Sequence, residues 1–227
     1  MDYKLNPIYL DNHLFIVEKP AGMLVQGDAT GDRTLLDHCK QYVKQTFHKR
    51  GEAYLGLIHR LDRPVSGIIV FARTSKAASR LSTQWRNYSI HKKYAALVKG
   101  KVPDQGEFRD YLVRRNKVSR ITNQATNGKM ALLYFKRNSF HAGISYVDIE
   151  LITGRHHQIR VQFAARQHPI IGDLLYGSKQ SFKKSCIALH SYYLSLQHPI
   201  TNERLIVQTP TKDLLTFYKK WKVENSQ

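Results

Sequence analysis

Apolar and polar positions recur along the chain with periods that predict a mixture of strands and helices. Ile8-Tyr9-Leu10, the polar Asp11-Asn12-His13 and Leu14-Phe15-Ile16-Val17 read as strand, turn and strand, closed by Pro20 and Gly22. Residues 34–48 carry Leu35, Cys39, Tyr42, Val43 and Phe47 at helical spacing. Ile68-Ile69-Val70-Phe71-Ala72 is a short continuous apolar run, the pattern of a strand buried on both faces. Ser75 offers a cap for a helix whose Leu81, Trp85 and Tyr88 share one stripe. Residues 94–98 predict a strand closed by Gly100, and residues 146–151 alternate, with Val147, Ile149 and Leu151 opposite Asp148 and Glu150. Residues 158–167 read as a helix, 188–196 and 205–207 as late strands, and 214–222 as a packed terminal helix with a solvated lysine face. No repeat, low-complexity tract or Pro/Ser-rich linker divides the chain, so a single domain over residues 1–227 is expected. Strands and helices lack the regular alternation of a parallel βαβ array, which favours an α+β fold with a mixed, mainly antiparallel sheet.

Composition narrows the function. Apolar residues at 42% and charged residues at 23% exclude wholesale disorder. No apolar run approaches the ~18–20 residues that span a bilayer, and the cluster at Leu14-Phe15-Ile16-Val17 is too short for a signal-peptide core. Thirty-six Lys and Arg against seventeen Asp and Glu give a net charge of +19. Such an excess attracts polyanions and works against self-association, so a monomer with nucleic acid as partner is expected, and an anionic membrane surface ranks second. Cys39 and Cys186 make neither a metal motif nor a disulfide framework, which fits a reducing, cytoplasmic setting.

Two segments concentrate chemistry. In His59-Arg60-Leu61-Asp62-Arg63-Pro64-Val65-Ser66-Gly67 a carboxylate sits between two guanidinium groups, in a Pro/Gly-punctuated turn before the buried strand. Cationic neighbours favour the ionised carboxylate, which can act as nucleophile or general base. An Arg–Asp–Arg ion pair that only stabilises the turn explains the same text equally well. In Thr153-Gly154-Arg155-His156-His157-Gln158-Ile159-Arg160 the alternating strand breaks at glycine and enters a helix whose start is crowded with basic groups. Helix N-termini favour anions, so this is a phosphate or carboxylate site, or else a solvated basic face. Downstream, residues 168–177 form a turn-rich loop with apolar residues inside it, explained by packing alone.

Taken together these segments resemble the RluA-type pseudouridine synthase family, which isomerises uridine within RNA. The segment from His59 to Gly67 looks like the catalytic-aspartate motif, and Lys92-Lys93-Tyr94-Ala95-Ala96-Leu97-Val98-Lys99-Gly100 like the tyrosine-bearing strand. Thr153 through Arg160 and Pro169 through Gly177 look like the basic helix and the loop after it. Phe15-Ile16-Val17-Glu18-Lys19-Pro20-Ala21-Gly22-Met23, Leu189-His190 and His198-Pro199 extend the match, in order, from about Ile8 to about Leu215. Val65 stands where the family usually has Thr, which reads as a packing variation. Too few residues precede Ile8 for the small S4-type RNA-binding domain of many relatives, so the catalytic domain alone is expected to bind RNA.

The resemblance implies a pseudouridine synthase-like fold, with helices and loops flanking the sheet around a basic catalytic cleft. It assigns Asp62 as the catalytic carboxylate, Arg160 as its guanidinium partner and Tyr94 as the ring stacked on the target base. His59, Arg60, Arg63, Arg155, His157 and Gln158 become the RNA-contacting set. Isomerisation needs no redox change, metal or cosubstrate, so neither metal nor cofactor is expected. Ribosomal or transfer RNA is the implied partner. Two other readings compete: a non-catalytic RNA-binding or ribosome-assembly protein on the same fold, and a membrane-surface protein using the basic C-terminal helix. The text around Asp62, Tyr94 and Arg160 argues against the first, and the solvated lysine face accounts for the second.

Overall fold

Strand β4, Ser66–Ala72, is apolar from Ile68 onward because both of its faces are covered. It pairs antiparallel with β2, Leu14–Lys19, in a register running from Leu14↔Ala72 to Lys19↔Gly67. On one face Leu14, Ile16, Ile68, Val70 and Ala72 pack with Ala77 and Leu81 of helix α2, Ser75–Arg86. On the other, Phe15, paired with Phe71, meets Tyr42 of helix α1, Leu35–Thr46, with ring centroids 5.6 Å apart. The computed structural model describes residues 5–48, 50–123 and 127–225.

The chain forms two compact units, one containing the segment up to Ile90 with Leu194–Thr209, the other His91–Tyr193 with the segment from Pro210 onward. In the first, β1 (Pro7–Leu10) joins β2 through a turn in which Asp11 Oδ1 accepts the N–H groups of His13 (2.7 Å) and Leu14 (2.6 Å). The two-residue strand β3 (Gly56–Leu57) pairs with β4. Helix α1 starts in a capping box: Thr34 Oγ1 accepts Asp37 N–H at 3.2 Å, and Asp37 Oδ2 accepts Thr34 N–H at 2.9 Å. Helix α2 is capped by Thr74, whose hydroxyl accepts Ala77 N–H at 3.2 Å. Ser75, the cap expected from sequence, lies one residue inside the helix, because Thr74 is the residue with extended backbone.

The second unit is built on antiparallel strands in the order β5 (His91–Lys99), β9 (Ile144–Leu151), β8 (Lys129–His141), β6 (Gln105–Arg115), β7 (Val118–Thr122). Strands β6 to β8 carry charges or tyrosine at outward positions, which hides the alternation of their few buried residues. Inside, Phe108 of β6 and Phe135 of β8 meet Phe163 of helix α3 (Gln158–Ala165), at 4.9 and 5.6 Å between centroids. A Cβ at Gly106 would fall 2.7 Å from the Phe135 ring, so this close approach needs glycine. Helix α3 ends two residues before the periodic pattern does. Strand β10 (Leu189–Gln197) runs on from this unit into the first, where β11 (Arg204–Gln208) pairs with it. Helix α4 (Lys212–Glu224) closes the chain through Tyr218, its ring 6.1 Å from that of Tyr146. The whole is an α+β fold with a mainly antiparallel sheet, as the mixed pattern of strands and helices implies. Among the described residues no helix is long and apolar enough to cross a membrane.

His190 on β10 is buried, and desolvation pushes its pKa down from 6.5 to about 4. A folded-state value below the unfolded one means that stability is complete above about pH 6.5 and is lost as pH falls toward 4. At ~1.4 kcal/mol per pH unit this amounts to about 3 kcal/mol. Denaturant unfolding across this window should show that loss in the parent, and His190→Gln should lack it, so that the difference between variant and parent changes by about 3 kcal/mol between pH 6.5 and 4.

Candidate active site

The residues singled out in the sequence divide between the two units, with the 59–67 turn in the first and Tyr94, Arg155, His157, Gln158 and Arg160 in the second. In the first unit, β2 ends at Lys19, whose side chain is wholly buried. Its ammonium donates to the carbonyls of Pro20 (2.9 Å), Met23 (2.8 Å) and Arg63 (3.2 Å). Three carbonyls from two segments of chain thus converge on one cation, and the turn that carries Asp62 is tied to the 20–23 loop. Gly22 N–H adds a bond to Arg63 O at 2.7 Å, and its φ of +87° is a conformation that favours glycine. Within the turn, Val65 N–H donates to Asp62 O at 3.0 Å.

The side chains of the turn take different tasks. Arg63 reaches back to the N-terminal loop, with Nε on Gly22 O at 3.0 Å and Nη2 on Asp32 at 2.7 Å. His59 Nε2 accepts Val70 N–H at 3.0 Å and its ring stacks on Trp85 at 4.4 Å, so this imidazole buttresses β4. Val65 is buried, as a packing residue should be. Arg60 is exposed and Asp62 is half-buried.

In the second unit, Tyr94 is buried on β5, in register with Ile149. Two residues earlier, Lys92 is also buried, and desolvation brings its pKa down from 10.5 to about 8. Helix α3 is preceded by the N-cap residue His157, which is in the left-handed region (φ +54°) and offers no side-chain cap. Gln158 is only 3% exposed and its amide is used within the protein. Its Oε1 accepts Thr153 Oγ1–H at 2.8 Å and Arg155 N–H at 3.0 Å, and its Nε2 donates to Leu132 O at 3.1 Å. That residue shapes the loop before the helix. Arg155 Nε donates to Met130 O at 2.9 Å.

Arg160 holds Asp173 bidentately, Nε to Oδ2 at 2.7 Å and Nη2 to Oδ1 at 2.9 Å, and Asp173 is 1% exposed. The guanidinium carbon lies 5.1 Å from the Tyr176 ring centroid. The Tyr176 hydroxyl lies 2.9 Å from His157 Nδ1, and the His156 and His157 rings stack at 3.8 Å. Asp173 and Tyr176 therefore fix the orientation of Arg160. Sequence reading placed both in a packing loop and gave no role to Lys19 or Lys92. The cue was present, since a lysine amid apolar strand residues and an aspartate in a Gly-bounded apolar loop each need a buried partner.

The two arginine–aspartate pairs differ in what they contribute. Breaking a buried pair strands a charge, whereas an exposed pair contributes little. Asp173→Ala should cost about 3–5 kcal/mol in denaturant unfolding. Asp32→Ala, which removes the exposed partner of Arg63, should cost less than about 1 kcal/mol.

Comparison with known proteins places this geometry. A family model for RNA pseudouridylate synthase matches residues 13–165. The chain is 31% identical over 221 residues to ribosomal large subunit pseudouridine synthase D of Zymomonas mobilis, covering 90% of this chain and 68% of that protein. It is 31% identical over 232 residues to tRNA pseudouridine synthase C of Vibrio parahaemolyticus, covering 92% of each. An uncharacterized RNA pseudouridine synthase of Aquifex aeolicus is 31% identical over 237 residues, with 98% of this chain and 74% of that one covered. The fold is shared with human RNA pseudouridylate synthase domain containing 4, at a TM-score of 0.78 and 22% identity over 94% of this chain and 92% of that one. The match over residues 13–165 spans the Asp62 turn, the Tyr94 strand and helix α3, and the chain belongs to the RNA pseudouridylate synthase family, isomerases that act on RNA.

Proposed function

We propose that this enzyme isomerises uridine in ribosomal or transfer RNA with Asp62 as its essential carboxylate, and that residues 1–227 work as one catalytic domain. The observation that carries the assignment is the turn itself. Asp62 is half-buried on a stretch of backbone held by Lys19, Gly22 and Val65, inside the segment matched to the family. A carboxylate on a pre-set turn meets the substrate without reorganisation. The names of the bacterial relatives support the choice of RNA classes. The net charge of +19 supports a monomer that binds RNA through the catalytic domain, and an unanchored, cytoplasmic enzyme is the matching setting.

The reaction breaks the N1–C1′ bond, turns the uracil, and forms C5–C1′. The C5 hydrogen leaves to solvent and N1 gains a proton, so nothing is oxidised or reduced. Asp62 serves either as the nucleophile toward the nucleoside or as the base for a sugar proton. Arg160, held flat by Asp173 and Tyr176, acts with Asp62 on the same nucleoside, and Tyr94 stacks on the base. A uridine within a stack must be flipped out, at a cost of a few kcal/mol. Arg60 stands two residues before Asp62 and is exposed, which suits it to support the flipped state. Arg155 and His157 meet the RNA backbone. His59, Arg63 and Gln158 set the backbone that carries these groups.

Carbodiimide-stop maps of total RNA from cells with and without the gene should differ at one or a few uridines in ribosomal or transfer RNA, and identical maps would sink the reading. Asp62→Asn is nearly isosteric and should lower C5-hydrogen release by at least about a thousandfold, with affinity changed less than about threefold. Near-normal turnover would mean that another carboxylate does the chemistry. Arg155→Ala should weaken binding to unrelated RNAs alike and flatten the salt slope by ~0.7–0.9. Arg60→Ala should instead slow single turnover at saturating enzyme more than it weakens binding. A change confined to affinity would make Arg60 an ordinary phosphate contact.

A further inference from the structure

Residues 111–147, between Asp110 and Asp148, contain seven Lys and Arg and no Asp or Glu. Four of the seven gather on one hairpin. Strands β6 and β7 pair from Tyr111↔Thr122 to Arg115↔Val118, with Asn116 turning the chain at φ +54°. Arg114, Arg115, Lys117 and Arg120 are all exposed there. Several cations elsewhere in this unit are matched by carboxylates: Arg109 by Glu107, Arg137 by Asp104, Arg166 by Asp110 and Lys183 by Asp213. On the hairpin, among the described residues, the bond recorded for these four is Arg114 Nε to Asn116 O at 3.0 Å, within the turn itself. Like charges crowded on a narrow ribbon repel one another, which costs stability unless an anion neutralises them.

The hairpin is also anchored to the helix that carries Arg160. Ser119 of β7 is buried, its N–H donates to Tyr176 Oη at 3.0 Å, and its hydroxyl donates to His156 O at 2.7 Å. Tyr176 is the residue whose ring lies against Arg160 and whose hydroxyl bonds His157. A ligand gripped by the hairpin is thereby held in fixed register with helix α3, since strand β7 and the helix N-terminus share one joint.

We propose that the β6–β7 hairpin is a second RNA-docking surface, where Arg114, Arg115, Lys117 and Arg120 take successive phosphates of the substrate RNA backbone outside the modified nucleotide. The occupant is a nucleic-acid backbone because four unmatched cations with no carboxylate and no exposed aromatic between Arg114 and Arg120 offer charge and no base-stacking platform. This rests on the chain being an RNA pseudouridine synthase, and it extends binding to a segment outside the Asp62 and Arg160 motifs.

The test compares two triple variants of the full chain. One is Arg114→Gln, Arg115→Gln, Lys117→Gln on the hairpin; the other is Lys212→Gln, Lys219→Gln, Lys220→Gln on helix α4, where the three lysines are also exposed. Thermal melting confirms that both fold. Kd is measured against salt for an unmodified transfer RNA transcript and a large-subunit ribosomal RNA fragment, with C5-hydrogen release by the unaltered enzyme assayed on the same RNAs. The hairpin variant should lose about a hundredfold in affinity at ~0.1 M salt and ~2–3 in salt slope for at least one of the RNAs. The α4 variant should lose less than a tenth of that. Equal losses in both variants, or none in the hairpin variant, would overturn the proposal. So would hairpin-dependent binding of poly-L-glutamate with RNA affinity unchanged, which would point to an acidic protein. Absence of C5-hydrogen release by the unaltered enzyme would remove the functional reading, while the Kd comparison would still judge the hairpin.

Discussion

The ammonium of Lys19 ties the N-terminal loop to the turn that carries Asp62. Taking a lysine wholly out of water is costly, and it is tolerated here because the charge is spent on three carbonyl oxygens, those of Pro20, Met23 and Arg63. The β2–β4 register makes this possible. It sets Lys19 across from Gly67, at the end of the pairing where β4 emerges from the turn. Two runs of ordinary apolar strand therefore deliver one cation to a junction of three backbone oxygens. Arg63 then braces the same junction from outside through Gly22 and Asp32.

The second unit solves a comparable problem with an anion. Helix α3 has buried residues at every position from Gln158 to Phe163, polar and apolar alike. Such a helix needs partners inside for its polar groups, and it finds them for all but Gln162 Oε1, which is buried without one among the described residues. Gln158 uses the loop of Thr153 and Leu132, Arg160 uses Asp173, and Gln162 donates to Asp110 at 2.7 Å. The result is a guanidinium with fixed orientation, which suits the role proposed for Arg160.

Much of this was legible in the residues. The continuous apolar run at Ile68 to Ala72 implied a doubly covered strand, and α1 and α2 cover it. The helical periods beginning at residues 34 and 158 lie on α1 and α3. Strands β6 to β8 were not legible, because buried residues such as Phe108, Leu112, Ala131 and Leu133 alternate with Arg, Glu, Tyr and Met that face outward. The motif text pointed to Asp62 and Arg160 through resemblance. It could not tell which basic residues point outward and which are structural. Arg60 and Arg63 are three positions apart among similar neighbours and both are exposed, yet Arg63 is engaged with Gly22 and Asp32. That distinction depends on tertiary partners 31 and 41 residues away in sequence.

The central claim is that the Asp62 turn is held in place by a buried cation before substrate arrives. Amide hydrogen exchange in the substrate-free enzyme tests it directly. Gly22 N–H, bonded to Arg63 O, and Val65 N–H, bonded to Asp62 O, should be protected in the unaltered protein. In Lys19→Met both should exchange at least about tenfold faster, while Val70 N–H, bonded to His59 in β4, keeps its protection and shows that the sheet remains folded. Unchanged protection at Gly22 and Val65 in that variant would contradict the account.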